Sequence, residues 1–144
     1  MAALNIYDIN AIDLILGGIA LKDGLVSFEV APTGPAFASE AGADGHVVRY
    51  ATHEKRASAN IVLKGSSEEN AKLSALHAAD VAATNGAGVV PFMLRDNNGT
   101  TLVATDKAWI VGLPTKTMAA APGDVTWVVE LVLSSPLNAI IGGQ

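Results

Sequence analysis

Cysteine is absent from this 144-residue sequence. Without thiols, the chain has no thiolate nucleophile, no disulfide, and no Cys-ligated zinc, iron–sulfur or haem site. A chain of this length buries roughly 68–70% of the surface that its unfolded form exposes, so a stable core needs no cross-link. Because domains commonly have ~100–200 residues, we expect one domain over residues 1–144.

Charged residues are also scarce. They make up 16% of the chain, with a net charge of −5, and the longest basic run is the pair Lys55-Arg56. Tight nucleic-acid binding requires a basic patch or stripe that follows the phosphates, and the sequence offers none. An acidic surface instead repels DNA, which suits a protein that DNA passes without sticking.

Long apolar runs are missing as well, although half of the residues are apolar and the mean hydropathy is +0.36. The longest candidate, 12–21, is interrupted by Asp13 and by Gly17-Gly18, so we expect no membrane-spanning segment, which needs about 18 apolar residues. No basic stretch precedes it, and we expect no secretion signal. Two explanations remain for the apolar surplus: a surface covered by a partner, or a core rich in the 25 alanines.

Groups that could carry chemistry do not converge in the sequence. The three histidines, His46, His53 and His77, are too scattered to predict a metal site. The adjacent Glu68 and Glu69 precede a helical segment, where the helix dipole accounts for acidic residues. We therefore predict no catalytic residue, no cofactor and no metal, and the sequence favours a structural protein over an enzyme.

Strict alternation of apolar and polar residues predicts antiparallel strands. The clearest strand is 125–133, in which five apolar residues share one face: Val125, Trp127, Val129, Leu131 and Leu133. The same period places Val26, Phe28 and Val30 on one face of a second strand, and Ala57, Ala59, Ile61 and Leu63 on one face of a third. Weaker candidates are 14–21, 47–52, 89–94 and 102–111. Pro91 predicts an edge or bulge, and the turn residues 96–99 predict a hairpin.

One segment predicts a helix. Ser66 and Glu69 form a capping-box pattern ahead of an alanine-rich run that ends near Asn85-Gly86. Leu73, Leu76 and Val81 would form its apolar side. A single helix among several strands is expected to pack across a sheet or the mouth of a barrel.

Two segments predict irregular structure, 32–45 and 113–123, because both contain Pro and Gly without periodicity. A fourteen-residue loop is uncommon in a compact domain and is typical of a lid or of an element that binds a partner. Simple disorder is the alternative for 32–45.

Five short motifs follow one another along the chain: 42–47 (GADGHV), 60–63 (NIVL), 95–102 (RDNNGTTL), 107–110 (KAWI) and 125–127 (VTW). In this order and spacing they resemble a family of phage structural proteins that supplies the tail-tube subunit of contractile-tailed bacteriophages. The similarity runs from about Tyr7 to Leu133. His46 departs from the pattern, where an acidic or polar residue is expected.

The resemblance implies a mainly β fold, a two-sheet antiparallel β-barrel or sandwich with one flanking α-helix. It also implies hexameric rings that stack into a tube inside a contractile sheath, with a long loop reaching the next ring. The candidates in that loop are Pro32, Pro35, Phe37, Glu40 and Asp44.

The partners implied by the resemblance are further copies of the chain, a tail sheath protein, and baseplate or initiator and tail terminator proteins. Genome DNA would pass through the lumen without specific binding. The protein would be made in the host cytoplasm and would reside in the virion tail. Two alternatives remain: a tube subunit of a contractile bacteriocin or secretion device, and a monomeric β-sandwich ligand-binding module. The last would need clustered exposed aromatics, and the chain has only three Phe, two Trp and two Tyr.

Overall fold

The computed structural model describes residues 11–22, 24–83, 88–97, 101–116, 118–121, 123–133 and 139–140. These residues form ten strands and one helix. In chain order they are β1 (Ile12–Leu16), β2 (Ile19–Ala20), β3 (Leu25–Pro32), β4 (Phe37–Ala41), β5 (Val47–Ala51), β6 (Arg56–Lys64), α1 (Glu69–Ala82), β7 (Val90–Asp96), β8 (Leu102–Ile110), β9 (Asp124–Val132) and β10 (Ala139–Ile140).

Eight strands form one antiparallel sheet in the order β2-β1-β7-β8-β9-β6-β3, with β10 paired to β8. Strand β8 belongs to both halves of the sheet: Leu102–Thr105 and Ala108 pair with β7, and Ala108–Ile110 also pairs with β9. Between these stretches, Asp106 and Lys107 are both exposed, so the inward face changes phase there. Strands β4 and β5 form a separate two-stranded sheet. The described strands do not close into a barrel, and the sandwich form of the predicted fold is confirmed.

Inward-facing residues from both halves of the large sheet meet in one apolar cluster. The two strands with the strictest alternation are confirmed: β6 buries Ala57, Ala59, Ile61 and Leu63, and β9 buries Val125, Trp127, Val129 and Leu131. Burial of apolar surface stabilises a protein by about 25 cal/mol per Å² removed from water. Because all the apolar side chains of such a strand lie on one face, this free energy favours the orientation in which that face turns inward.

Helix α1 packs on this cluster through few residues. Leu73 is completely buried, and Leu76 packs partly against the cluster. The Trp127 indole Nε1–H donates to Asn70 Oδ1 at 3.0 Å, joining the first turn of the helix to β9. Most of the helix alanines are exposed, so they do not form an alanine-rich core. No helix in the described part of the chain is long and apolar enough to cross a membrane.

The predicted helix bounds were wrong at the start. Helix α1 begins at Glu69 after Glu68, whose side chain makes no capping hydrogen bond, and it is Ser67 Oγ that accepts the Glu69 N–H at 3.2 Å. Ser66 is therefore not the N-cap. Val81 was wrongly assigned to the apolar side, because it is 72% exposed. The helix ends at Ala82, and the predicted Asn85-Gly86 cap lies outside the described residues.

The predicted strand 14–21 is two strands joined by a tight turn. Gly17 and Gly18 have φ values of +60° and +84°, the positive pair that a type I′ hairpin requires, and Leu16 pairs with Ile19. Val26 was also placed wrongly. A β-bulge between Leu25 and Ser27 leaves Val26 exposed, and Leu25 takes the inward position.

Strands β7 and β8 pair as an antiparallel hairpin, as predicted, with residues 98–100 of the connecting turn outside the described residues. The pairing slips between Val90 and Phe92, so Pro91 marks a bulge and not an edge. Segment 113–123 is irregular in its described residues, as predicted. Segment 32–45 is not: it contains the end of β3 and all of β4.

Candidate assembly interface

Residues 37–51 form a β-hairpin that stands apart from the large sheet, and we call it the arm. Its strands pair in simple register from Phe37 with Ala51 to Ala41 with Val47. At the tip, the Gly42 N–H donates to the His46 carbonyl at 2.8 Å, and Asp44 Oδ1 accepts the His46 N–H at 3.0 Å. Gly45 has a φ of +85°, a conformation that favours glycine. These contacts define a tight turn of five residues.

Both faces of the arm are uncovered in the single subunit. Four large apolar side chains are at least half exposed: Phe37 53%, Val47 62%, Val48 50% and Tyr50 50%. Cross-strand partners share a face, so Phe37 and Val47 lie on one face, and Val48 and Tyr50 lie on the other. An isolated two-stranded hairpin is marginally stable in water. The arm therefore has the properties of an element that is completed by a partner.

An internal contact stiffens the first face of the arm. The Arg49 guanidinium lies over the Phe37 ring, 3.8 Å from its centroid. Exposed cation–π contacts of this kind contribute ~0.5–1 kcal/mol. The contact therefore holds the Phe37 ring in one position on the exposed surface of the arm.

Hydrogen bonds hold the root of the arm. The Thr52 N–H donates to the Ala36 carbonyl at 3.0 Å and joins the two chain connections, and the Thr33 N–H donates to the carbonyl of Arg56, the first residue of β6, at 3.0 Å. The Arg56 guanidinium donates to both Glu54 oxygens, at 3.0 and 3.1 Å, and lies 3.8 Å from Glu130 on β9. These hydrogen bonds lower the pKa of Glu54 to about 2, so its charge is retained and neutralised by Arg56.

Beside this root lies an open pocket of about 470 Å³, which we call the base pocket. Its walls are mainly apolar, and its rim carries His53 and Lys55. The residues that matter for its shape are Pro32, Pro35, Ala36, Ala51 and Leu133.

The predicted loop residues all belong to the arm or to its root, at opposite ends. Pro32 and Pro35 line the base pocket, Phe37 opens β4, and Glu40 and Asp44 lie near the tip. The predicted strand 47–52 is confirmed as β5. What the sequence analysis missed is that 37–41 is also a strand and that the two pair as one hairpin.

The described residues hold no cluster of three or more His, Asp or Glu side chains arranged for a metal ion. Two buried side-chain atoms in the described residues lack a hydrogen-bond partner, Glu69 Oε2 and His77 Nδ1, and both belong to α1. The exposed hairpin and its root are thus the features that call for a functional explanation.

The family model of the bacteriophage PhiTE tail tube protein matches residues 14–138. The chain belongs to this tail tube family. A curated relative, the structural protein ORF10 of Pseudomonas phage KPP10, is 28% identical over 110 residues. That match covers 76% of this chain and 62% of the relative's length. The family is structural and implies a non-enzymatic role in the virion, in agreement with the resemblance found in the sequence.

Proposed function

We propose that this chain forms hexameric rings that stack into the inner tube of a contractile phage tail, through which the genome enters the host. Membership of the tail tube family supports a tube subunit. The observation that carries the assembly step is the arm, because four large apolar side chains on its two faces are left uncovered by the subunit itself.

Two different contacts are needed for stacked rings, one lateral and one axial. For the lateral contact the structure offers the edge of β3, which pairs only with β6 among the described strands. An eight-residue edge with free backbone groups is a template for a neighbour's strand, and pairing it around a ring removes the edge. For the axial contact it offers the arm, whose faces would be buried against the next ring.

The remaining partners follow from this assembly. A tail sheath protein would surround the tube, baseplate or initiator proteins would start it, and a terminator protein would end it. DNA would pass without specific binding, consistent with the net charge of −5. The subunit would be made in the host cytoplasm before incorporation. A bacteriocin or secretion tube would use the same contacts, and family membership favours the phage tail.

The test is negative-stain electron microscopy of the purified chain over a concentration series, with scoring of sixfold rings and hollow tubes. The matched variant replaces 37–51 with a short Gly-Ser linker. Ala36 and Thr52 are already joined by a hydrogen bond of 3.0 Å, so the linker spans adjacent ends. We expect the variant to retain the circular dichroism of a folded sandwich and to lose stacked tubes.

A control variant, Val81→Ser, removes an apolar side chain of α1 that is even more exposed than those of the arm, and it should assemble normally. Normal tubes from the arm-replaced variant would refute the axial role of the arm. A wild-type chain that stays monomeric at every concentration, and also when tube fragments are added as seeds, would refute the tube itself.

A further inference from the structure

Two short chain connections join the arm to the large sheet, and each runs from one hydrogen-bonded ladder to another. The β3–β6 ladder ends where the Thr33 N–H donates to the Arg56 carbonyl at 3.0 Å. The β4–β5 ladder begins where the Thr52 N–H donates to the Ala36 carbonyl at 3.0 Å. Five residues lie between the two ladders: 34–35 and 53–55. The backbone of these residues therefore sets the direction of the arm relative to the sheet.

Three of the five residues are held by further contacts. The ring of Pro35 fixes its φ, and its carbonyl accepts the Thr52 hydroxyl. Glu54 is bound to Arg56 through both carboxylate oxygens, and one of them also accepts the Arg56 backbone N–H at 3.0 Å. The Lys55 carbonyl accepts the N–H of the residue that follows β9 at 2.8 Å. The other two residues lie one on each connection: Gly34 and His53.

The backbones of these two residues differ from those around them. His53 has a φ of +57°, and it is the one residue other than glycine with a positive φ in the described part of the chain. A side chain with a Cβ is disfavoured in this left-handed region, although His, Asn and Asp occur there several-fold more often than other residues. A Cβ on Gly34 would meet Glu54 Cγ at 3.5 Å, an ordinary contact, so space does not require glycine there. What glycine adds at this position is a wide range of backbone angles.

The imidazole of His53 does not account for this conformation. The residue is exposed, and its ring makes no hydrogen bond or ion pair within the described part of the chain. A backbone in a sparsely populated region persists where the surrounding structure holds it, and such residues are frequent where a segment must be oriented. Here the holding contacts lie on either side, at Thr52 and at Glu54.

We propose that His53 is the positioning residue of the arm: its left-handed backbone, and not its imidazole, sets the angle at which the arm leaves the sheet. Gly34 adopts the matching angle on the other connection. A residue that leaves the left-handed region at position 53 redirects the arm as one body, because the hydrogen bonds of both ladders are kept. The inference concerns the single subunit and goes beyond the proposed tube.

The absence of cysteine allows a direct measurement of the direction of the arm with spin labels. Ala41→Cys carries one label at the far end of β4, and Ala78→Cys carries the other on the exposed side of α1. The distance between them is measured by double electron–electron resonance. Labelled protein is diluted with an excess of unlabelled wild-type chain, so that the distance is the one within a single subunit. At ~3.3 Å per residue, Ala41 lies roughly 16 Å from Ala36, so a change of direction of about 30° moves it by roughly 8 Å.

Three substitutions in this labelled chain separate the backbone from the side chain. His53→Asn should leave the distance distribution unchanged, because Asn tolerates the left-handed region. His53→Val should shift the mean distance by at least ~5 Å, because a β-branched residue is strongly disfavoured there. Lys55→Val is the matched control: it places the same side chain on the same connection at a residue without a positive φ, and it should cause no shift.

Far-ultraviolet circular dichroism and the fluorescence of the buried Trp127 report whether each variant keeps the folded sandwich. If His53→Val does not fold, His53→Ala takes its place, since any Cβ is disfavoured in the left-handed region. A wild-type distance in the folded His53→Val or His53→Ala protein would overturn the assignment. A shift in His53→Asn as large as that in His53→Val would also overturn it, because the imidazole would then be responsible. Neither result depends on whether the chain forms tubes.

Discussion

Replacing Leu73 with alanine tests how the helix is held on the sandwich. Leu73 has no exposed surface and is the fully buried apolar residue of α1, whereas Leu76 is only partly buried. Buried Leu→Ala changes cost about 2–5 kcal/mol, from lost transfer energy and from the cavity that remains. The cavity here lies between a helix and a sheet, and the indole–Asn70 hydrogen bond limits how far the helix can settle into it.

The assay is urea unfolding followed by tryptophan fluorescence, since Trp127 is buried beneath the first turn of the helix. With an m value of ~1–3 kcal/mol/M, a loss of about 3 kcal/mol lowers the midpoint by about 1–3 M. The protein must be kept below its assembly concentration, because association with other copies raises apparent stability.

Val81→Ala is the matched control. It removes a large aliphatic side chain from the same helix, but one that is 72% exposed, so the expected change lies within about 0.5 kcal/mol. If Leu73→Ala shifts the midpoint no more than Val81→Ala does, the helix is not a structural part of the core, and the packing described above is wrong.

Two further predictions concern the close backbone approach near the helix and the root of the arm. A Cβ on Gly65 would collide with the Gly123 carbonyl oxygen, so Gly65→Ala should lower the free energy of unfolding in urea by ~1–3 kcal/mol. Gly112→Ala is the control and should leave it unchanged, because a Cβ there would meet no atom within 4 Å. Equal effects of the two changes would contradict this packing. The Glu54 carboxyl should titrate near pH 2 by NMR and return toward the ordinary value of 4.5 in Arg56→Met. Because the pKa of Glu54 is lowered in the folded state, the stabilisation by the ion pair is present above about pH 4.5 and is lost as pH falls toward 2. A wild-type Glu54 titration midpoint near 4.5 would show that the contact is not formed.

The strands of the core could be predicted from the sequence because burial leaves a pattern. In β6 and β9 every second residue is apolar, and a one-residue shift would turn the whole set toward water. The Gly17-Gly18 turn was harder, because Leu14, Leu16, Ile19 and Leu21 form an apolar series that continues across it. The start of the helix was predicted wrongly because two adjacent serines are both able to cap it. Ser66 and Ser67 both fit a capping pattern, and only the three-dimensional path decides between them.

The arm could not be predicted as a hairpin for a different physical reason. Sequence periodicity reports the contrast between a buried and an exposed face, and the subunit alone buries neither face of β4 or β5. Val47 and Val48 are adjacent, so in a strand they must point to opposite sides. Both valines are exposed in the single subunit. A strand with apolar side chains on both faces is the pattern that we expect where a partner covers both sides, as the proposed assembly would do.

The same argument separates the subunit into two parts with different sources of stability. The sandwich has its own apolar cluster, which is buried within the single subunit. The arm has a few cross-strand contacts, one cation–π pair and a hydrogen-bonded root, which fix its direction without burying its side chains. The single subunit therefore has a buried core and, in the arm, an apolar surface that it leaves exposed; under the proposed assembly, neighbouring copies would cover that surface. The ion pair between Glu54 and Arg56 restrains the root of the arm, and under the proposed assembly we expect a restrained root to reduce the conformational entropy that the arm would lose on binding.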